Sequence, residues 1–172
     1  MKHTLTDKIV ERYTDRSVKN FCDSNRTKAE KDHLKEIVNY IHFNITDSLK
    51  TSWGIASLLY TDDRQVQVLN ITKDGYLIKP LKDYYHLVIS LNRRVLQWAR
   101  PQDVFDTVSH EVAHCFDFTK RGETLHDKYW REIALDMGCN GDTLSDIRVP
   151  KYVHSKDIFS DSTLRKGYHD LY

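Results

Sequence analysis

No run of eighteen or more apolar residues occurs in this chain, so no membrane-spanning helix is expected. Cysteine is scarce as well. Cys22, Cys115 and Cys139 are the only three, an odd number without a C-x-x-C pair, which leaves no disulfide framework and no structural zinc ribbon. The opening residues, Met1 to Lys8, lack the apolar stretch of a secretory signal, and the expected location is the cytoplasm. In that compartment the N-x-T sequons at Asn44 and Asn70 are coincidental. The chain also lacks repeats, low-complexity tracts and linkers, and its net charge is only +1.

What is present describes a compact soluble protein. At 172 residues, 40% hydrophobic and 30% charged, the chain is long enough for one core and too short for two comfortable domains. A single domain over residues 1–172 is expected, with its core at about 30–138 and residues 139–172 packed on it as a C-terminal extension through aromatics such as Tyr152. The fold class is α+β: N-terminal helices, a small antiparallel sheet, a long helix and a further helix. Leu5, Ile9, Tyr13 and Phe21 mark a first helix, and Leu34, Ile37, Val38, Ile41, Ile45 and Leu49 a second that ends before Ser52-Trp53-Gly54. Val66–Leu69 and Tyr76–Ile78 read as strands joined through an Asp74-Gly75 hairpin signal, and His86–Leu91 is the strongest strand. Such a sheet edge beside a metal site would offer main-chain groups to an extended peptide.

The residues that carry chemistry are His110-Glu111-Val112-Ala113-His114, with His126 twelve positions beyond. Val104, Val108 and Val112 recur every fourth residue, and Phe105, Ala113 and Phe116 widen the apolar face, which makes this segment a largely buried amphipathic helix. Pro101 stands near its start and Gly122 just past its end. On that helix two histidines four apart aim imidazoles at one point. A catalytic zinc takes three protein ligands and keeps a fourth position for water, and His126 is the best candidate for the third. Glu111, rotated about 100° from His110 by the helical repeat, is placed to accept a proton from that water rather than to bind the metal. Single histidines on helices are usually solvated or satisfied in a core, but this pair with a glutamate between them on an apolar helix is the pattern that metal-dependent hydrolysis requires. Cys115 reads as packing, because it points about 100° away from His114. Asp106 and Asp117 share the ligand face and are candidates to orient the imidazoles, although an ordinary solvated role is commoner for both. Tyr129 and Arg131 are near enough in sequence to touch a substrate, and surface roles suit both equally.

Three stretches resemble the SprT-like metallopeptidases, the group that includes bacterial SprT proteins and the Spartan proteases that act on proteins crosslinked to DNA: Val88–Asn92, Asp106–His114 and His126–Trp130. The resemblance covers about residues 85–138. It implies a zincin-like fold of SprT type in a minimal form, one zinc ion on His110, His114 and His126, and Glu111 as general base. Two departures stand out. Asp127 replaces the glycine that commonly follows the third histidine, and the C-terminal cysteine-pair zinc ribbon of many relatives is missing. A rival third ligand is Glu132, eighteen residues after His114, which matches the thermolysin-like arrangement less well than His126 matches the SprT-like one. His154 and His169 are more distant alternatives.

The expected function is therefore a zinc-dependent endopeptidase acting on a protein or peptide substrate. The alternative is a catalytically idle, zinc-bound scaffold that binds protein or nucleic acid; retention of Glu111 favours the enzyme, since binding alone needs only the ligands. Lys73, Lys79, Lys82, Arg93, Arg94 and Arg100 form a basic stretch against Asp74 and Asp83, which gives an expectation of DNA contact. Lysines alternating along strands ordinarily face water, so that expectation rests mostly on analogy.

Overall fold

The computed structural model describes residues 5–49, 52–62, 65–68, 85–122 and 124–141. The expected hairpin at Asp74-Gly75, the strand at Tyr76–Ile78, His154, His169 and nearly all of the C-terminal extension lie outside the described residues. Among the described residues, five α-helices and a four-stranded sheet follow one another in the order α1 (Leu5–Asp23), α2 (Lys28–Ile37), β1 (Ile41–Thr46), β2 (Gly54–Asp62), β3 (Gln65–Val68), β4 (Tyr85–Asn92), α3 (Arg93–Trp98), α4 (Pro101–Arg121) and α5 (Lys128–Asp136). The α+β class read from the sequence is the one observed.

The sheet is mixed, not wholly antiparallel. Its order is β1-β4-β2-β3: β4 pairs antiparallel with β2, from Gly54 opposite Leu91 to Tyr60 opposite Tyr85, and parallel with β1, from Ile41 opposite Leu87 to Thr46 opposite Asn92. Strand β3 pairs with β2 over Leu59–Asp62. The expected second helix divides here. Thr27 caps α2 in a reciprocal box, its hydroxyl accepting from the Glu30 N–H while the Glu30 carboxylate accepts from the Thr27 N–H, and the helix gives way after Ile37 to a 3-10 turn, Val38–Tyr40. From there burial alternates along β1, with His42 and Asn44 outside and Ile41, Phe43 and Ile45 turned inward. That period of two is set by pairing with β4 and overrides the helical spacing of the same apolar residues.

Asn92 shows how strand and helix are joined. Fully buried at the end of β4, it caps α3 by accepting from the Arg94 N–H at 3.0 Å, and its amide donates to Leu49 O at 2.9 Å and Ser52 O at 3.1 Å. One side chain thereby satisfies a helix start and two loop carbonyls, which explains the asparagine that ends the strand motif.

Helix α4 is the spine of the core. Pro101 occupies its first turn, where an N–H would go unused, and Gly122 ends it in the left-handed region at φ 81° with its N–H on Phe118 O. Val104, Phe105, Val108, Val112, Ala113, Cys115 and Phe116 are buried among residues from α1 (Val10, Tyr13, Phe21), α2 (Leu34, Ile37), β4 (Leu87, Ile89, Leu91) and α5 (Trp130, Ile133, Ala134). Helix α5 ends at Asp136, and Gly138 follows in the left-handed region at φ 87°. Cys115 is wholly buried, and burial pushes its thiol well above the usual range, consistent with a packing role. No described helix is long and apolar enough to cross a membrane.

Candidate metal centre

Helix α4 presents His110 and His114 one turn apart, and the chain returns after Gly122 to bring His126 in just before α5. The three Nε2 atoms converge: His110 to His114 3.1 Å, His114 to His126 3.0 Å, His126 to His110 3.1 Å. Three such nitrogens cannot each donate to and accept from both neighbours, so mutual hydrogen bonding does not account for the arrangement. A tetrahedral ion at their centre would. Zinc–nitrogen bonds of 2.0–2.1 Å set ligand nitrogens about 3.3 Å apart, close to the separations found here. The residues fit a divalent ion, and among the described residues these three form a cluster that could hold one.

Support for the rings comes from positions outside the motif. His114 Nδ1 lies 2.6 Å from Thr124 Oγ1; with Nδ1–H donating to that hydroxyl, Nε2 is left as a bare lone pair aimed at the common point. His114 is the most enclosed of the three, and burial, followed by the neighbouring His110 and His126, depresses its pKa to about 3. Burial also lowers His126. Both shifts favour the neutral imidazole, the form that binds metal.

Trp130 forms the floor. Its fully buried indole stacks on His114, with centroids 4.9 Å apart at 24°, and meets His110 and His126 edge-on, each at 4.6 Å. One side chain from α5 therefore touches all three imidazoles.

Glu111 packs against strand β2. It is 5% exposed, and its carboxylate accepts from the main-chain N–H of Ala56 in β2. Burial outweighs that hydrogen bond and raises its pKa to about 8. The carboxylate lies over Gly54, where the missing side chain makes room for it.

Other candidates are placed elsewhere. Glu132 is half-exposed on α5 and lies 3.9 Å from Lys128 and 4.0 Å from Arg26, so the rival carboxylate is not brought to the imidazoles. Asp106 accepts from Gln102 and from the Asn140 main chain, and burial raises its pKa. Asp117 is fully buried against Arg121. Tyr129 packs under the same guanidinium at 4.5 Å, and Arg131 is exposed. Of the basic stretch, Lys73, Lys79 and Lys82 lie outside the described residues, Arg93 pairs with Asp47, and Arg100 pairs with Asp103.

Sequence reasoning missed Gly54, Ala56, Thr124, Arg121 and the reach of Trp130. An isolated glycine beside a strand is a sign of close approach, and Asp117 four residues before Arg121 is a helical ion-pair spacing; nothing local points to Thr124.

No curated protein and no solved structure matches the chain. A sequence model of the SprT-like family matches residues 22–150, which takes in α2, the whole sheet, α4 with its histidine pair, and α5. With most of its length matched and its three histidines drawn to one point, the chain belongs to the SprT-like family.

Proposed function

We propose that this protein is a zinc-dependent endopeptidase that hydrolyses peptide bonds in protein substrates. The observation that carries the proposal is the convergence of three imidazole nitrogens within 3.1 Å of one another, with a buried glutamate on the helix that bears two of them. His110, His114 and His126 would hold the ion. Zinc bound there would supply Lewis acidity, making water easier to deprotonate and a carbonyl easier to attack.

The chain's own groups do the rest. Glu111 takes the proton from the attacking water and passes it to the departing amine. Burial alone keeps this carboxyl protonated at neutral pH; positive charge collected at the neighbouring imidazoles favours its ionised form. The Ala56 N–H holds the carboxylate against β2, and Trp130 excludes water from beneath the rings. A protein crosslinked to or seated on DNA is the substrate class that the family membership favours, and DNA then acts as a cofactor of recognition, not of chemistry.

The test is casein or self-cleavage by purified protein with and without a chelator, and with and without single-stranded DNA. Cleavage should require metal and vanish in Glu111→Gln, which keeps the ion. Metal analysis should find one zinc per chain, bound much more weakly in His126→Ala and at parental strength in Glu132→Ala. Full metal with no cleavage in any condition would instead favour the idle scaffold.

A further inference from the structure

The aspartate that stands where a glycine commonly follows the third histidine is built into a clamp. Asp127 has ordinary extended geometry, φ −83° and ψ −176°, so no glycine is needed there. Its carboxylate caps α5, Oδ1 accepting from the Trp130 N–H at 2.9 Å. The same carboxylate receives both terminal nitrogens of Arg121: Nη1 to Oδ2 at 2.8 Å and Nη2 to Oδ1 at 3.1 Å. Arg121 also grips Asp117, Nε to Oδ1 at 2.6 Å and Nη2 to Oδ2 at 2.8 Å. Asp117 is wholly buried on α4, one turn before Arg121 and three residues after His114.

One guanidinium therefore joins the helix that carries the first two histidines to the residue next to the third. The Tyr129 ring, 4.5 Å from the guanidinium carbon, covers one face of the guanidinium. A planar fork bound on two edges resists rotation as a lysine ammonium does not. His126 itself is exposed and precedes α5, so no helical turn fixes its backbone, and the edge of Trp130 supports only its ring. Its backbone is held through Asp127, which is fixed at once by the α5 cap and by Arg121.

We infer that Arg121, acting through Asp127, is a positioning residue that fixes His126 for metal binding by tying it to the end of α4. The inference rests on the metal centre proposed above and not on peptidase activity. Without the clamp, the loop between Gly122 and α5 is free to carry His126 off the shared point, and the site falls back to the two histidines of α4.

The test is zinc affinity by chelator competition on the full chain. Arg121→Met should weaken binding about 10- to 100-fold, the usual effect of losing a partner that orients a ligand. Because that variant leaves Asp117 buried and unpaired, the double variant Arg121→Met/Asp117→Asn is measured beside it and should show the same loss with metal-free folding retained. Asp127→Asn keeps a capping oxygen but loses the charge pair, and should weaken zinc with little change in the metal-free melting temperature. The decisive measurement places Arg121→Met/Asp117→Asn in a His126→Ala background, where it should change zinc affinity by less than about twofold, since the ligand through which it acts is gone. An equal loss with and without His126, or affinity in the double variant within about twofold of the parent, would overturn the clamp. A parent chain that binds no zinc overturns both the clamp and the metal centre, whereas a zinc-bound chain that cleaves nothing removes only the peptidase.

Discussion

Gly54 and Glu111 occupy the same space: a Cβ at position 54 would lie 2.8 Å from the Glu111 Cγ and 2.9 Å from its Oε1. Side-chain carbons do not approach that closely, so either the carboxylate or the strand must move if position 54 gains a methyl group. Gly54→Ala should therefore displace the base while leaving the three imidazoles alone. A misplacement of about 1 Å costs on the order of 100-fold in turnover. Steady-state kinetics on a peptide substrate should show that loss in kcat with KM little changed, and metal analysis should show zinc at the parental level. Loss of zinc together with activity would mean that β2 supports the fold and not the base.

The buried carboxyl makes a prediction about pH that needs no substrate. Its pKa rises from 4.5 to about 8 on folding, chiefly through burial. Between these values the unfolded chain has released a proton that the folded chain keeps. Stability of the metal-free protein from this group is therefore full below pH 4.5 and declines as pH rises towards 8. Glu111→Gln removes the dependence. Melting curves in the presence of a chelator should place the variant above the parent by several degrees at pH 8, with the gap closing near pH 4.5. A gap independent of pH would show that the carboxyl is not held protonated.

Thr124 offers a sharper test of how the ligands are tuned. Its hydroxyl lies 2.6 Å from His114 Nδ1, and Thr124→Val keeps the shape while removing the acceptor. Zinc affinity should fall about 10- to 100-fold, and Thr124→Ser should restore most of it. Nitrogen NMR of the metal-free imidazoles should show His114 losing its preference for the Nδ1–H tautomer in the valine variant alone.

The parts of this site that were legible in the sequence are those whose geometry is local. His110, Glu111 and His114 are placed by the repeat of one helix, and the apolar spacing of Val104, Val108 and Val112 identifies that helix without any tertiary knowledge. His126 became legible through the resemblance of its surroundings. Strand β1 did not, because Ile37, Val38, Ile41 and Ile45 satisfy a helical period as well as Ile41, Phe43 and Ile45 satisfy a strand period; pairing with Leu87–Asn92 decides between them. Strand β2 was hidden for a related reason, since Trp53-Gly54 resembles the end of a helix as much as the start of a strand. Thr124, Arg121 and Gly54 owe their roles to side chains that meet only when α4, α5 and β2 are assembled, and no spacing rule anticipates such meetings.

Trp130 carries the last prediction because it contacts all three candidate ligands at once. Its ring lies 4.6–4.9 Å from each imidazole centroid, and its buried Nε1–H has no hydrogen-bond partner among the described residues. Trp130→Phe keeps an aromatic face and removes that unmet donor, so the two effects partly offset; Trp130→Ala leaves a cavity at a cost of about 3–5 kcal/mol. Zinc affinity should follow the ring: near parental in the phenylalanine variant and more than about tenfold weaker in the alanine variant, as for other partners that orient ligands. Because charge gathered on the imidazoles changes the environment of the indole, tryptophan emission should shift when zinc is added to the metal-free protein. Trp130→Phe should abolish the shift although Trp53 and Trp98 remain. A shift that persists without Trp130 would place the binding event away from the three histidines.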